Sequence, residues 1–190
     1  MKPFILFLLV LALCSCEIVY FEKPQPRHTK ELKSIPSELT GIYAEIKDDS
    51  IKDQIADSLI ITSDLYHYIT HDHKLLDKNR IGSLETGNMV LKKMDGYYIL
   101  SQKVMDDKGK IYDDIWEINV LKYNDNQLSI YSMSGEDEKL FTDSVRRIVP
   151  LKEKKVEDGT VQMINPTKKQ FKELLDNKLW KKAIQFEKIK

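Results

Sequence analysis

"VLKKMDGYYIL", residues 90 to 100, is the stretch on which the fold turns. Two apolar runs, Val90 to Met94 and Tyr97 to Leu100, flank Asp95-Gly96. Both turn residues tolerate a positive φ, so the stretch predicts a tight β-hairpin. The same texture repeats outward. On the C-terminal side, Asp106-Asp107-Lys108-Gly109 predicts the next hairpin turn, leading into the longest strand candidate, Ile111 to Tyr123. Trp116, Ile118 and Val120 share one face of that strand and Glu117 and Asn119 the other, at the period of two expected of a half-buried strand. Asn124-Asp125-Asn126 turns it back into Gln127 to Met133. Ser134-Gly135-Glu136-Asp137 turns again, and a strand is expected over Leu140 to Leu151. Glu157-Asp158-Gly159 precedes another at Thr160 to Ile164, and Ala183 to Ile189 reads as the last. On the N-terminal side, Gly41 to Ile46 predicts a strand, and Asp57 to Ile69 a second one, bent near Ser63-Asp64.

One helix is expected near the end. Thr167 and Gln170 have capping-box spacing, and Phe171, Leu174, Leu175 and Leu179 recur at helical spacing, with Asn177 to end the helix. The fold class is therefore mainly β, an antiparallel meander with one C-terminal α-helix. Closing such a sheet into a barrel or half-barrel removes its unpaired edges. Leu39-Thr40-Gly41-Ile42-Tyr43 is similar to the Gly-x-Trp opening of lipocalin-like barrels, with Tyr43 in the place of the tryptophan. That resemblance implies a cavity for a small apolar or lipid ligand. Tyr98, Trp116 and Ile118 are the expected lining.

The N-terminus carries an address. Lys2 precedes an uninterrupted apolar run of ten residues, Phe4 to Leu13. A membrane-spanning helix needs about 20, so the run reads as the core of an export signal. It ends Leu13-Cys14-Ser15-Cys16, and these are both cysteines of the chain. This resembles the lipobox of bacterial lipoproteins, with Leu13 at −3, Ser15 at −1 and Cys16 as the modified residue. The resemblance implies cleavage before Cys16, diacylglycerol on its thiol and an acyl group on its amine. Stable anchoring takes two or more acyl chains, which such a cysteine supplies. The expected location is the cell envelope, anchored to a bacterial membrane with the outer membrane favoured, and the domain periplasmic or surface-exposed. No second cysteine would remain to form an internal disulfide, so the fold must rest on its core. Pro24, Pro26 and Pro36, with many charges between them, predict an extended spacer. The expected organisation is a signal over 1–15, anchor and linker over 16–38, and one β-rich domain over 39–190.

Chemistry is sparse. The chain has 30 basic and 30 acidic residues, so no bulk charge selects a partner. Nucleic acid is not expected, because export separates the protein from it. His67, His71 and His73 fall on alternate positions, and on one continuous strand they would share a face fit for zinc or copper. The plainer reading is a polar loop. Asp106, Asp107, Asp113, Asp114 and Glu117 read as turn and surface carboxylates, the alternative being an acid/base pair. No nucleophile elbow, phosphate loop or dinucleotide fingerprint occurs, so no enzyme activity is expected. Residues 165 to 190 carry eight lysines and three acids, read as the solvated face of the helix or as a patch for anionic lipid or an acidic partner. Three functions fit these residues. They are a lipid-tethered module for a small apolar ligand, an envelope protein that docks another protein, and a metal-binding protein using the histidines.

Overall fold

A computed structural model describes residues 19–46, 57–69, 80–106, 109–135, 137–157, 159–177 and 179–190. The signal over 1–15, Cys16, His71, His73 and Asp107 lie outside them. In chain order the elements are β1 (Val19–Phe21), β2 (Gly41–Glu45), β3 (Ser58–Ile61), β4 (Leu65–Ile69), β5 (Arg80–Ser83), β6 (Met89–Met94), β7 (Tyr97–Met105), β8 (Ile111–Asn124) and β9 (Gln127–Met133), then α1 (Glu138–Ile148), β10 (Lys152–Val156), β11 (Gly159–Ile164), α2 (Lys168–Asp176) and β12 (Trp180–Lys188).

The quoted hairpin is β6–β7. Met94 faces Tyr97 in register, and Asp95 and Gly96 both take positive φ, 50° and 84°. Asp125 and Asn126 do the same between β8 and β9, with φ of 48° and 65°. Two antiparallel meanders result, β2 to β5 and β6 to β9. The last strand, β12, joins them by pairing with β9 on one edge and β2 on the other. The resulting run is β6-β7-β8-β9-β12-β2-β3-β4-β5. β8 is long enough to serve three neighbours. Trp116 pairs with Lys103 of β7 on one edge and Phe21 of β1 on the other, and residues from Asn119 onward pair with β9. Beyond β1 the sheet continues to β11, in parallel, and then β10.

The sheet has a core on each face, because its strands alternate. Phe21, Ile99, Trp116, Ile118 and Val120 pack against Phe141 and Val145 of α1 and Phe171 and Leu174 of α2. Phe171 and Leu174 are fully buried, each worth about 1.5–3 kcal/mol in transfer. The other face curls around Leu39, Tyr43, Leu59, Ile61, Met89, Leu91, Leu121, Leu128 and Phe186. Curling brings β5 near β6, but no ladder joins them. The sheet stays open, and the expected closure into a barrel is not completed.

Four expectations need correction. The strand expected over 140–151 is instead α1, so the protein has two helices among the described residues. Phe141, Val145 and Ile148 recur at helical spacing, and Asp137 caps the first turn by accepting from the Leu140 amide at 2.9 Å. The bent strand over 57–69 is a hairpin, since the Thr62 amide donates to Leu65 O at 2.9 Å and closes a turn. The final strand begins at Trp180 rather than Ala183 and lies between β9 and β2 inside the sheet.

The fourth concerns the spacer. From Val19 on it is packed, and the packed domain does not start at residue 39. Phe21 is in the core, and Gln25 is fully buried with its amide donating to Ser101 Oγ at 3.0 Å. Lys92 Nζ donates to Pro26 O at 3.2 Å. The amides of Leu32 and Ile35 donate to Leu91 O at 2.8 Å and Ser63 O at 2.6 Å. The prolines do prevent regular pairing, but the segment finds its partners elsewhere. It runs as a strap from β6 to the β3–β4 turn, across the gap that β5 and β6 leave.

Candidate functional site

Inside the curl, on the strap side, lies a cavity of about 240 Å³. Its floor is apolar, made by Leu59, Ile61, Met89, Leu91, Leu121, Leu128 and Phe186, with Ile35 and Leu39 added by the strap. Its polar groups sit together in a row across three strands. Gln102 of β7 faces Glu117 of β8, and Asn119 of β8 faces Ser132 of β9. Ser132 Oγ donates to Asn119 Oδ1 at 2.9 Å. Glu117 and Ala183 are the exposed members of the lining, so this end is the mouth.

Tyr66 and Tyr68 of β4 form the opposite wall. The Tyr66 hydroxyl donates to Gln102 Oε1 and ties β4 to β7 across the gap. That reach depends on Gly82, which faces Tyr66 in register. A Cβ there would stand 2.3 Å from Tyr66 Cε1 and 2.9 Å from Met89 Sδ, so the ring occupies the space a side chain would need. The Tyr68 hydroxyl donates to Asp57 Oδ2 at 2.7 Å.

The electrostatics of the mouth centre on Glu117, which is the charged side chain of the lining. The Tyr20 phenol of β1 lies close enough to respond to it. Burial first, and the Glu117 carboxylate second, push that phenol above its ordinary range. The other carboxylates of the neighbourhood do not face one another. Asp113 accepts from Lys103 Nζ at 2.7 Å, Asp114 pairs with Lys154, and Asp106 caps its own turn by accepting from the Lys110 amide at 2.8 Å. They form no acid/base pair with Glu117.

The expected lining residues lie elsewhere. Trp116 and Ile118 sit on the opposite face of β8, in the core under the helices. Tyr98 is buried beside the cavity wall but is spent on another contact, where its hydroxyl meets Glu38 and accepts from Lys93 Nζ at 2.8 Å. The bond that the Tyr98 hydroxyl donates to Glu38 is the main cause holding the Glu38 carboxyl below its ordinary range. His67 alternates with Tyr66 and Tyr68 on β4 and so points away from the cavity. Its Nε2 is buried with no hydrogen-bond partner among the described residues. No group of three metal-ligating side chains occurs among those residues, and His71 and His73 are outside them.

Sequence reasoning assigned Glu117 and Asn119 to a solvent face. The signal against that was Ile115 and Leu121, which bracket Glu117 and Asn119 on the same face and are both buried. Compared with known protein families, with curated proteins and with solved structures, the chain has no significant match.

Proposed function

We propose that this protein is a bacterial cell-envelope lipoprotein, anchored through diacyl and N-acyl chains on Cys16, whose lipocalin-like half-barrel holds a small apolar ligand without performing chemistry on it. The cavity carries this reading: a closed apolar floor with a short row of polar groups at one mouth is the usual design of a small-molecule site. An apolar cavity of about 150 Å³ takes benzene, so about 240 Å³ suits roughly ten non-hydrogen atoms, such as a ring or a short acyl chain. No described helix is long and apolar enough to cross a membrane.

The packed strap changes how the anchor works in this reading. Cys16 precedes Val19 by three residues, which span at most about 11 Å when extended. The tether therefore holds β1 against the membrane surface, with Tyr20 and the cavity mouth close by. The outer membrane is the favoured site.

Native mass spectrometry of the protein extracted gently from membranes tests the proposal. The expected spectrum shows the acyl mass on Cys16 and a second, non-covalent mass that organic solvent removes. An unmodified Cys16 would refute the anchor, and a protein that neither carries nor takes up any small apolar molecule would refute the binding role.

A further inference from the structure

We infer that the cavity selects amphipathic molecules with a cationic, amine-type head, which Glu117 receives at the mouth while the apolar body fills the floor. The inference rests on the cavity being a ligand site and adds the charge of what it takes.

Glu117 is the charged side chain of the described lining; no hydrogen bond or ion pair holds it among the described residues, and its electrostatic neighbour there is the uncharged Tyr20 phenol. The lysines nearest it in the sheet are committed elsewhere. Lys103 is bound to Asp113 at 2.7 Å and lies over the Trp116 ring on the other face of β8. Lys181, opposite Ser132 in register, already has a partner. The amides beside Glu117 carry no charge to offset it. Gln102 Oε1 accepts from Tyr66, and Asn119 Oδ1 accepts from Ser132, so both neutral amides are fixed in place and leave Glu117 as the charge of the mouth. Among the described residues no cation lines the cavity to hold a carboxylate or phosphate. An anionic amphiphile would meet the Glu117 carboxylate with no cation of the described lining to offset it, whereas an ammonium head would exchange water for that carboxylate. Because the mouth is exposed, the pair is of the modest, partly solvated kind, and a preference of about fivefold is the expected scale.

Three probes with the same eight-carbon chain test this: n-octylamine, 1-octanol and octanoate. Each is titrated at neutral pH into the protein held in zwitterionic lipid nanodiscs, with empty nanodiscs subtracted. The expected order is octylamine about fivefold tighter than octanol, and octanoate weaker than both. Glu117→Gln should bring octylamine level with octanol, with an unchanged circular-dichroism spectrum and melting temperature to show that the variant is folded. Octanoate binding as tightly as octylamine, or an amine preference that persists in Glu117→Gln, overturns the inference but keeps the cavity as a site. If none of the three binds the wild-type protein, the binding role itself fails, and the inference with it.

Discussion

Tyr66 of β4 donates its hydroxyl to Gln102 of β7 across the gap where β5 and β6 do not pair. One side-chain bond thus stands where a backbone ladder would close a barrel. Tyr66→Phe keeps the ring and removes the bond, leaving the Gln102 carbonyl oxygen half-buried. The expected loss is about 1 kcal/mol, read as a lower urea midpoint with an unchanged m-value. A changed m-value would mean that the curl itself had opened.

Gly82 makes that contact sterically available. Gly82→Ala places a methyl 2.3 Å from the Tyr66 ring, so the ring must swing and the Gln102 bond must break. The expected cost is about 1–3 kcal/mol, typical of overpacking. In Tyr66→Phe the same glycine change should cost less than in the wild type, because the bond it breaks is already gone. A strictly additive double mutant would contradict this account.

The strap should be visible by hydrogen exchange. Leu32 and Ile35 donate their amides to Leu91 and Ser63, while Lys33 and Ser34 have no backbone partner among the described residues. The expected pattern is two protected amides flanking two fast ones. Ile35→Ala should cost about 2 kcal/mol, at the low end for a buried isoleucine because the side chain already borders a cavity. Uniformly fast exchange from residue 22 to 38 would return the segment to the role of a free spacer.

Acid should loosen the junction of the strap with the helical side. Lys152 Nζ at 2.9 Å and Asn165 Nδ2 at 2.8 Å both donate to the Glu22 carboxylate. The Lys152 bond is the main cause that holds its pKa below the ordinary 4.5, against the opposing effect of burial. A carboxylate with a lowered folded pKa stabilises the fold above its unfolded value and loses that effect as pH falls through the folded one. Thermal melts below about pH 5 should therefore decline, and Glu22→Gln should flatten part of that decline while lowering the melting point at neutral pH.

The first helix has a separable test. Asp137→Ala removes the cap on the Leu140 amide and should cost about 1 kcal/mol by urea unfolding. No change would mean that water replaces the cap freely.

Local chemistry was legible in this chain. Asp95-Gly96 specified its hairpin because both residues accept positive φ, and Thr167 with Gln170 specified the start of α2 because each caps the other's backbone. The alternation of Trp116, Ile118 and Val120 correctly placed one face of β8 in a core. Each of these signals spans a few residues and acts through nearest neighbours. Over Leu140 to Leu151 the same kind of reading failed, since a short apolar run fits a strand or a helix and the Asp137 cap was read as a turn.

What the sequence determined by itself was the run β6 to β9 with its turns, the strands β2 and β11, most of β12, and the second helix; β1, β5 and β10 carried no such signal. The tertiary structure alone decided that Glu117 and Asn119 border a cavity instead of open solvent, that β12 stands between the two meanders, and that a proline-rich strap covers the gap. These depend on pairings between distant residues, such as Lys188 with Tyr43 and Gln102 with Glu117. A strand's side-chain period records that it has two faces. It does not record what the sheet, once curled, will place in front of each.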